Sequence, residues 1–546
     1  MIRGLLLIKK NKFRINEASK MDSIWLPFAI ILVTSLINKT NTLANCPISC
    51  HCNDVSLVVN CGEGSLDVLP IALNPSIQRL QIKNNKIKTI DSSIQFYADL
   101  NYLDLSHNHL FSIPPRTFSY QKMLQELHLN HNKVGTITNK TFIGLSSLIV
   151  LNLRDNFLDS LTKGVFSTLT NLEDLNIGQN RIKYIDADAF EGLKKLRVLF
   201  MDDNSMVSVP SPSFVHIPQL AELYLGVNRF SLIKSGAFES LRELNRLDIR
   251  STLLDTIQVD VFKGIENIRA LDISDNQLVR IPSVELSKLK RLEELYIGQN
   301  DFKTVAEKAF IGLKNLKKVD ISGSIKLTTV ESGAFLTNSN LETIMITSNK
   351  AFSELQEGAF SGLPYLKHLI LRDNALVALT ESLTHWNDLE TLDLTDNPLT
   401  CDCRMAWFRD LLSTKNASHR QEHVLCAYPE KLRGQSLQRI PSDVLGCTQS
   451  VLHAQTNISV IVVGCVAFVT VIILLAIKCR RQIHDMFLGK WRSMPMSSKE
   501  LEYQKTFYDD DFMFRHPHPC GLSSFSSMNH YSYVNPTIRT IPTTEL

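Results

Sequence analysis

Hydrophobic residues recur along most of the chain with a period of about 24 residues. The recurring segment reads LxxLxLxxNxL, and one copy runs from Leu148 to Leu158 around Asn156. Its polar position occurs fourteen times at intervals of 23 to 25 residues: Asn85, Asn108, Asn132, Asn156, Asn180, Asn204, Asn228, Thr252, Asn276, Asn300, Ser324, Asn349, Asn374 and Asn397. A period sustained this long predicts a solenoid in which each repeat adds one coil.

The LxL part of each repeat predicts a short strand, because residues two apart point to the same side of a strand. The asparagine has one acceptor and two donors, so it can satisfy backbone groups of its own coil and of the adjacent coil. Unpaired buried backbone groups would be costly. We therefore predict a parallel sheet along one face, with a buried ladder of asparagines at its edge.

A phenylalanine follows most of these polar positions by ten residues, or by eleven where the repeats lengthen. The set is Phe118, Phe142, Phe166, Phe190, Phe214, Phe238, Phe262, Phe310, Phe335 and Phe360. Stacked on the side away from the strands, these rings form a spine in which each contributes about 1.5–3 kcal/mol by burial. One repeat cannot bury its own face, so neighbours are obligatory. The predicted fold is an α/β-type solenoid, curved like a horseshoe with a concave parallel sheet.

Two apolar runs do not follow this period. Residues 24–37 come after a basic stretch and predict a secretory signal peptide cleaved after Ala44; translation from Met21, or an uncleaved anchor, stays open. Residues 458–477 carry no charge and span about 30 Å as a helix, the thickness of a bilayer core. Three of the next four residues are basic, which predicts that this side is cytoplasmic. We expect a single-pass type I protein of the plasma membrane with an extracellular N-terminus.

Eight of the eleven cysteines form two clusters that flank the repeats: Cys46, Cys50, Cys52 and Cys61, then Cys401, Cys403, Cys426 and Cys447. Even-numbered clusters in an oxidising compartment predict disulfide caps, which cover the apolar ends of the array. Spacing alone allows three connectivities in each cap. Zinc bound by four thiolates is the alternative interpretation.

Repeats and caps together resemble the extracellular leucine-rich-repeat family over about residues 46–447. The spacing C-x3-C-x-C-x8-C at 46–61 and the segment NPLTCDC at 397–403, followed by Trp407, carry this resemblance alongside the repeats. The resemblance implies the disulfide pairs Cys46–Cys52, Cys50–Cys61, Cys401–Cys426 and Cys403–Cys447. The tail of 546 − 477 = 69 residues is too short for the signalling domain of Toll-like receptors.

These patterns divide the chain into seven segments. They are a signal peptide at 1–44, an N-terminal cap at 45–75, repeats at 76–396, a C-terminal cap at 397–447, a juxtamembrane linker at 448–457, a transmembrane helix at 458–477 and a disordered cytoplasmic tail at 478–546. Disorder is expected because the tail is polar and lacks apolar periodicity.

Composition excludes several function classes. The 58 basic and 55 acidic residues leave a net charge of +3, which gives no indication of nucleic-acid binding. No zinc-protease, nucleophile-elbow or phosphate-loop motif is present, so we predict neither an enzyme nor a cofactor. We interpret His107, His128 and His131, on adjacent repeats, as solvated strand residues rather than as a metal site.

The concave face is the expected docking surface for a protein partner. The position between the two apolar residues of LxL reads Gln81, Asp104, His128, Asn152, Asn176, Phe200, Tyr224, Asp248, Asp272, Tyr296, Asp320, Met345, Ile370 and Asp393. Adjacent exposed aromatic residues are typical interface anchors, so we predict partner contacts at Phe200 and Tyr224, with Tyr296 further along. Scattered apolar residues without a ligand, or residues covered by a glycan, are the alternative.

Three further features bear on function. Asn139 and Asn416 lie in glycosylation sequons, as expected outside the cell. Thr544 and the C-terminal Leu546 match the ligands of PDZ domains, which implies a cytoplasmic scaffold partner. We predict a cell-surface adhesion or recognition protein that binds an extracellular or membrane-bound protein. The alternatives are a co-receptor that captures a soluble ligand, or a structural scaffold without a dedicated ligand.

Overall fold

The computed structural model describes residues 46–62, 64, 66–414, 424–447 and 449–489. The predicted signal peptide, Asn416 and the C-terminal residues Thr544 and Leu546 lie outside the described residues. Contacts divide the chain into two units, 1–455 and 456–546, and each unit is described by itself.

The first unit is the predicted solenoid. Its main sheet, within the described residues, has sixteen strands, and all neighbours are parallel except the first pair. Fourteen of them supply one three-residue strand for each repeat: β3 Arg79–Gln81, β4 Tyr102–Asp104, β5 Glu126–His128, β6 Val150–Asn152, β8 Asp174–Asn176, β10 Val198–Phe200, β11 Glu222–Tyr224, β12 Arg246–Asp248, β13 Ala270–Asp272, β14 Glu294–Tyr296, β16 Lys318–Asp320, β18 Thr343–Met345, β20 His368–Ile370 and β21 Thr391–Asp393.

Smaller elements complete the coils and caps. The other strands are β1 Cys50–Asn53, β2 Val58–Cys61, β7 Ser160–Leu161, β9 Tyr184–Ile185, β15 Thr304–Val305, β17 Thr329–Val330, β19 Glu354–Leu355, β22 Leu399–Thr400 and β23 Cys426–Tyr428. The 3-10 helices are Ser92–Phe96, Ser211–His216, Glu381–Leu383, Trp386–Asp388, Cys403–Met405, Glu430–Leu432 and Leu437–Arg439. The α-helices are α1 Ser283–Leu286, α2 Ala406–Thr414 and α3 Gln449–Gly489.

The predicted phenylalanine spine is confirmed. All ten rings are at most 2% exposed. Phe142, Phe166 and Phe190 stack in series, with ring centroids 6.0 and 6.3 Å apart. The helix α1 interrupts the series, and Leu286 fills the place of a ring there, itself fully buried. The spine therefore forms one continuous apolar column behind the sheet.

The predicted asparagine ladder is also confirmed. Asn180 is a representative member: its Oδ1 accepts from the Leu158 amide of the preceding coil at 3.0 Å. Its Nδ2 donates to the Leu153 carbonyl of that coil at 3.1 Å, and to the Ile177 and Gly178 carbonyls of its own coil. Thr252, in the same position, donates through Oγ1 to the Ile249 carbonyl at 2.9 Å, so the hydroxyl replaces only part of the amide's bonding.

Disulfides staple both ends of the solenoid. The pairs are Cys46–Cys52, Cys50–Cys61, Cys401–Cys426 and Cys403–Cys447, the same four that the family resemblance implies. In the N-terminal cap, β1 pairs antiparallel with β2, which then pairs in parallel with the first repeat strand. The cap therefore covers the first coil by continuing its sheet.

The second unit contains most of the helix α3, of which Ser459–Lys478 is long and apolar enough to cross a membrane. The helix is longer than the predicted span of 458–477. It begins inside the predicted linker and ends inside the predicted tail, so residues 478–489 are helical. A helix satisfies its backbone internally, and it therefore need not end where the apolar side chains end.

Candidate protein-binding site on the sheet face

Each repeat strand buries its middle residue and directs its first and third residues away from the core. The side chains at these positions, together with the side chain of the second residue after each strand, form a surface that we call the sheet face. In β10 and β11 the buried residues are Leu199 and Leu223, both fully inaccessible. Phe200 and Tyr224 therefore lie on the sheet face, each partly exposed.

The structure brings Phe200 and Tyr224 together. The two residues are paired in the register of β10 and β11, and their rings stack with centroids 4.5 Å apart and planes 12° apart. The phenol of Tyr224 donates to the Glu222 Oε2 at 2.7 Å, which orients the ring. This is a rigid aromatic platform in the middle of a largely polar face.

The platform lies in a cleft of about 570 Å³. The residues that line it are Arg154, Asn176, Phe200, Asp202, Glu222, Tyr224, Arg246, Asp248, Arg250 and Asp272. Seven of these ten side chains are charged, so the cleft combines an apolar floor with ionic walls. Such a surface suits a protein segment better than a small apolar molecule.

One wall of the cleft depends on a glycine. The Arg154 Nη1 reaches across one repeat to the Asp202 carboxylate, with distances of 3.0 and 3.2 Å to its two oxygens. Gly178 lies between them, and a Cβ there would be 2.4 Å from the Arg154 Nη1 and 2.7 Å from the Asp202 Oδ1. The absence of a side chain at Gly178 therefore leaves room for an ion pair that spans three coils.

The charged residues of this wall were not among the predicted contact residues. The signal was present, because the column two residues after the central position reads Arg154, Gly178, Asp202, Gly226 and Arg250. Charged residues alternate with glycines there, and a glycine between two charged residues leaves room for their side chains to meet.

Burial shifts several ionisable groups around the platform. Desolvation raises the pKa of the Asp248 carboxyl to about 6, although its Oδ1 accepts from the Arg250 amide at 3.0 Å and its Oδ2 lies 3.5 Å from the Arg250 Nε. Desolvation, with the Glu222 hydrogen bond next in importance, raises the pKa of Tyr224 to about 12. The pKa of Asp174 is raised as well, by burial first and by the charge of Glu222 second.

Tyr296 lies on the same face but apart from the platform. Two strands, β12 and β13, lie between it and the strand of Tyr224, and Lys318 on the next coil covers it, with the ammonium 4.7 Å from the ring centroid. The Lys318 Nζ also donates to the Tyr296 hydroxyl at 3.1 Å. The predicted contact at Tyr296 therefore belongs to a different stretch of the face.

The three histidines correct one expectation. Only His128 lies in a strand; His107 and His131 occupy turns with φ of +53° and +56°. Their rings stack at 4.0 Å, and the His131 Nδ1 lies 2.5 Å from the Asp155 Oδ2. Burial and the neighbouring His131 lower the pKa of His107. In the part of the chain that the structure describes, no group of three or more histidine, cysteine, aspartate or glutamate side chains could hold a metal ion.

The glycosylation candidate Asn139 is exposed in the loop between β5 and β6, three residues before the spine residue Phe142. It therefore lies on the loop side of the coil, opposite the sheet face. No sequon of the sequence falls on a repeat strand.

Fold and disulfides together define the class: a disulfide-capped repeat solenoid. Comparison with known proteins agrees. The model for Leucine rich repeat matches seven overlapping segments, from 98–156 to 339–399, which together span more than half of the chain. The model for Leucine rich repeat C-terminal domain matches 423–448. The chain belongs to the leucine-rich-repeat family.

Curated relatives match only part of the repeats. Human reticulon-4 receptor-like 2 is 32% identical over 123 residues, which are 22% of this chain and 29% of the relative. Mouse trophoblast glycoprotein is 34% identical over 124 residues, again 22% and 29%. Human lumican is 36% identical over 94 residues, 16% and 28%. The chain thus spans less than a third of the length of these relatives.

Solved structures share the fold. A leucine-rich-repeat protein of Leptospira interrogans superimposes with a TM-score of 0.55 at 23% identity, covering 65% of this chain and 93% of the other. Toll in its complex with Spatzle, from Drosophila, gives 0.52 at 20% identity, covering 68% and 58%. Identities this low concern architecture alone.

Proposed function

We propose that this protein is a cell-surface adhesion or recognition protein that binds an extracellular or membrane-bound protein through its sheet face. The observation that carries the proposal is the stacked pair of Phe200 and Tyr224, partly exposed in the centre of a charged cleft. Rigid aromatic side chains in a desolvated centre, surrounded by polar groups, are the usual anchors of protein interfaces. Recognition is favoured over catalysis because no serine, threonine, cysteine, lysine or histidine lines the cleft.

The experiment is a screen of the full-length protein, displayed on cells, against a library of secreted and cell-surface ectodomains. Each binder is then tested on the double variant Phe200→Glu/Tyr224→Glu. We expect a loss of affinity of at least about thirtyfold, the effect of a central interface anchor. Equal surface display of both proteins, measured with an antibody to the repeats, establishes that folding is intact.

The chain offers a matched control for this experiment. Met345 and Ile370 are a second apolar pair in the same column, joined in the register of β18 and β20. The variant Met345→Glu/Ile370→Glu introduces the same charges and should keep full binding. If this control loses the binder while the Phe200/Tyr224 variant keeps it, the docking site lies at that other pair.

The alternative function is a co-receptor that captures a soluble ligand and signals through a partner receptor. The name of the relative reticulon-4 receptor-like 2 is compatible with it. The same screen separates the two, because an adhesion protein binds membrane-anchored ectodomains and promotes contact between cells. A co-receptor binds a secreted ligand and does not promote such contact.

We also propose a type I orientation, with the repeats outside the cell and the tail inside. It is supported by the basic residues that follow the apolar segment of α3. An antibody to the repeats should label intact cells, and an antibody to the tail should label them only after permeabilisation. Tail labelling of intact cells would show the opposite orientation.

The C-terminal residues Thr544 and Leu546 are proposed to bind a PDZ scaffold, which would couple the protein to the cytoplasm. The sequence supports it: a free terminal carboxylate, an apolar final residue and a hydroxyl two residues earlier are what such a domain captures by strand addition. A tail peptide should bind PDZ domains at micromolar affinity. One glycine added after Leu546 should abolish binding by displacing the carboxylate.

A further inference from the structure

The chain itself shows how aromatic residues on its sheet face are covered. The strands β3 and β4 bring Arg79 beside Tyr102, and the guanidinium carbon lies 3.9 Å from the ring centroid. On β14 and β16, Lys318 covers Tyr296 in the same manner at 4.7 Å. Both are cation–π contacts between neighbouring coils.

The pair of Phe200 and Tyr224 differs from these two. Together with Tyr102 and Tyr296, these two residues are all the phenylalanines and tyrosines that the described repeat strands place on this face. None of the described residues places a cation over the Phe200 or the Tyr224 ring. Its nearest strand neighbours in the column are Asn176 and Asp248, neither of them basic. Two stacked rings are therefore left without the cation that the other aromatic residues receive.

The three arginines of the cleft pair with carboxylates and do not lie over the Phe200 or the Tyr224 ring. Arg154 pairs with Asp202 across Gly178. Arg246 reaches in the other direction, to within 4.0 Å of the Glu294 carboxylate, which is not among the cleft residues. Arg250 remains beside Asp248, at 3.5 Å.

Two carboxylates of the cleft lack an ionic partner. Glu222 accepts only the Tyr224 hydroxyl, and Asp272 accepts the backbone amide and the hydroxyl of Ser274 at 3.0 and 2.5 Å. Among the described residues no basic group lies within 4.0 Å of either carboxylate. Asp174, on β8 next to the strand of Phe200, is likewise without an ion pair among the described residues. Burial first, and neighbouring carboxylates second to it, raise the pKa of Asp174 and that of Asp248.

We infer that the partner presents an arginine that stacks on the face of the Tyr224 ring turned away from Phe200, with its charge toward Asp272. A planar guanidinium stacks on aromatic rings and pairs with carboxylates at the same time, which an ammonium does less well. Neighbouring strands lie about 4.8 Å apart, so the backbones at Tyr224 and Asp272 are about 10 Å apart, and a guanidinium stacked on the Tyr224 ring lies between the two side chains. An acidic or wholly apolar segment would leave the carboxylates unpaired in a desolvated interface.

This inference rests on the proposed function, and the experiment separates the two. The probe is a phage library of random twelve-residue peptides, panned on the full-length protein in detergent micelles. The library is first depleted on the variant Phe200→Ala/Tyr224→Ala, so that recovered clones require the aromatic pair. We expect the recovered sequences to be enriched in arginine over the starting library.

The recovered peptides are then synthesised in two forms, with arginine and with citrulline, which keeps the shape and removes the charge. We expect citrulline to weaken binding about tenfold, and Asp272→Asn to weaken binding of the arginine form about fivefold. The citrulline form should lose no affinity for Asp272→Asn. The matched control is Asp104→Asn: Asp104 has the same strand position and accepts the Ser106 amide at 2.9 Å, but it lies outside the cleft.

Three results would overturn the inference. Peptides that need the aromatic pair but bind equally well with citrulline, or to Asp272→Asn, would reject the arginine and leave the proposed docking site standing. A library in which no clone depends on the aromatic pair would reject the docking site itself and the inference with it. An equal loss of peptide affinity for Asp104→Asn would show that the overall negative charge of the face, and not Asp272, is responsible. This result also contradicts the inference.

Discussion

The interior of the solenoid and the cleft on its sheet face follow opposite rules, although they are built from the same repeats. In the interior, most coils repeat the same asparagine and the same ring, and Asn180 makes four hydrogen bonds with backbone groups of two coils. In the cleft the positions differ from coil to coil, and carboxylates such as Asp272 lack an ionic partner among the described residues.

The difference shows where the fold is stabilised and where it remains available for binding. In the interior, the buried polar groups of each coil form hydrogen bonds with the neighbouring coils, because similar coils offer similar partners. A binding surface cannot be satisfied in this way, since its groups must be free to exchange water for a partner. Substitutions should therefore cost stability in the interior and affinity in the cleft.

The largest contrast is expected between two phenylalanines ten residues apart. Phe190 is fully buried in the spine, so Phe190→Ala should destabilise the protein by about 3–5 kcal/mol. Phe200→Ala removes a partly exposed ring from one stack and should cost about 1 kcal/mol. Urea unfolding of the two variants in detergent micelles measures both values. Equal costs would contradict the division between interior and cleft.

Two asparagines give the next contrast. Asn180→Ala should destabilise by about 1–3 kcal/mol, because it leaves buried backbone groups of two coils without partners. Asn176, four residues earlier on the sheet face, accepts only the Gly178 amide at 3.1 Å, and Asn176→Ala should cost about 0.5–1 kcal/mol. Thermal melts of both variants test the ladder. A melt of Asn180→Ala that matches the wild type would show that the ladder does not stabilise the array.

Unlike the substitutions above, which lower stability, Asp248→Asn should stabilise the protein at pH 7.4. Burial raises the folded-state pKa of Asp248 to about 6, above its ordinary value of 3.8. The stability contributed by the protonated group is present below the lower value and is lost as the pH rises through the higher one. The neutral amide avoids this loss, a gain on the order of 2 kcal/mol at pH 7.4 that should vanish near pH 4.

Unfolding of the two proteins at both pH values measures the gain from Asp248→Asn. Asp393→Asn is the control, at the same strand position but outside the cleft, where Asp393 accepts the Thr395 amide at 3.0 Å. A gain of the same size at pH 4 would mean that titration of Asp248 is not its cause.

The smallest effect is expected on the loop side. Asn139 is exposed, so Asn139→Gln should change stability by no more than about 0.5 kcal/mol. The variant should migrate faster in a gel if the asparagine carries a glycan, and partner binding through the sheet face should be retained. Loss of binding would extend the docking surface beyond the sheet face.

Much of the fold follows from the sequence because its physical causes are local and periodic. The interval of about 24 residues, the LxL strand, the asparagine and the phenylalanine each recur at a fixed offset, and repetition makes a weak pattern legible. The stacking of Phe200 on Tyr224 was predictable for the same reason, since equal positions on adjacent coils must be neighbours. The end of α3 was not predictable in this way. The run of apolar residues shows which part of the helix could cross a membrane, but the helix continues beyond that run.

Only the tertiary structure decided the chemistry of the cleft. The ion pair of Arg154 and Asp202 joins residues 48 positions apart and exists because Gly178 leaves space between them. Whether a carboxylate is paired depends on which way each arginine turns, and Arg246 turns away from the cleft. The pKa of Asp248 depends on burial by several coils together. A sequence period places residues in columns, but the directions of long side chains, and the charges they leave uncompensated, are set by packing in three dimensions.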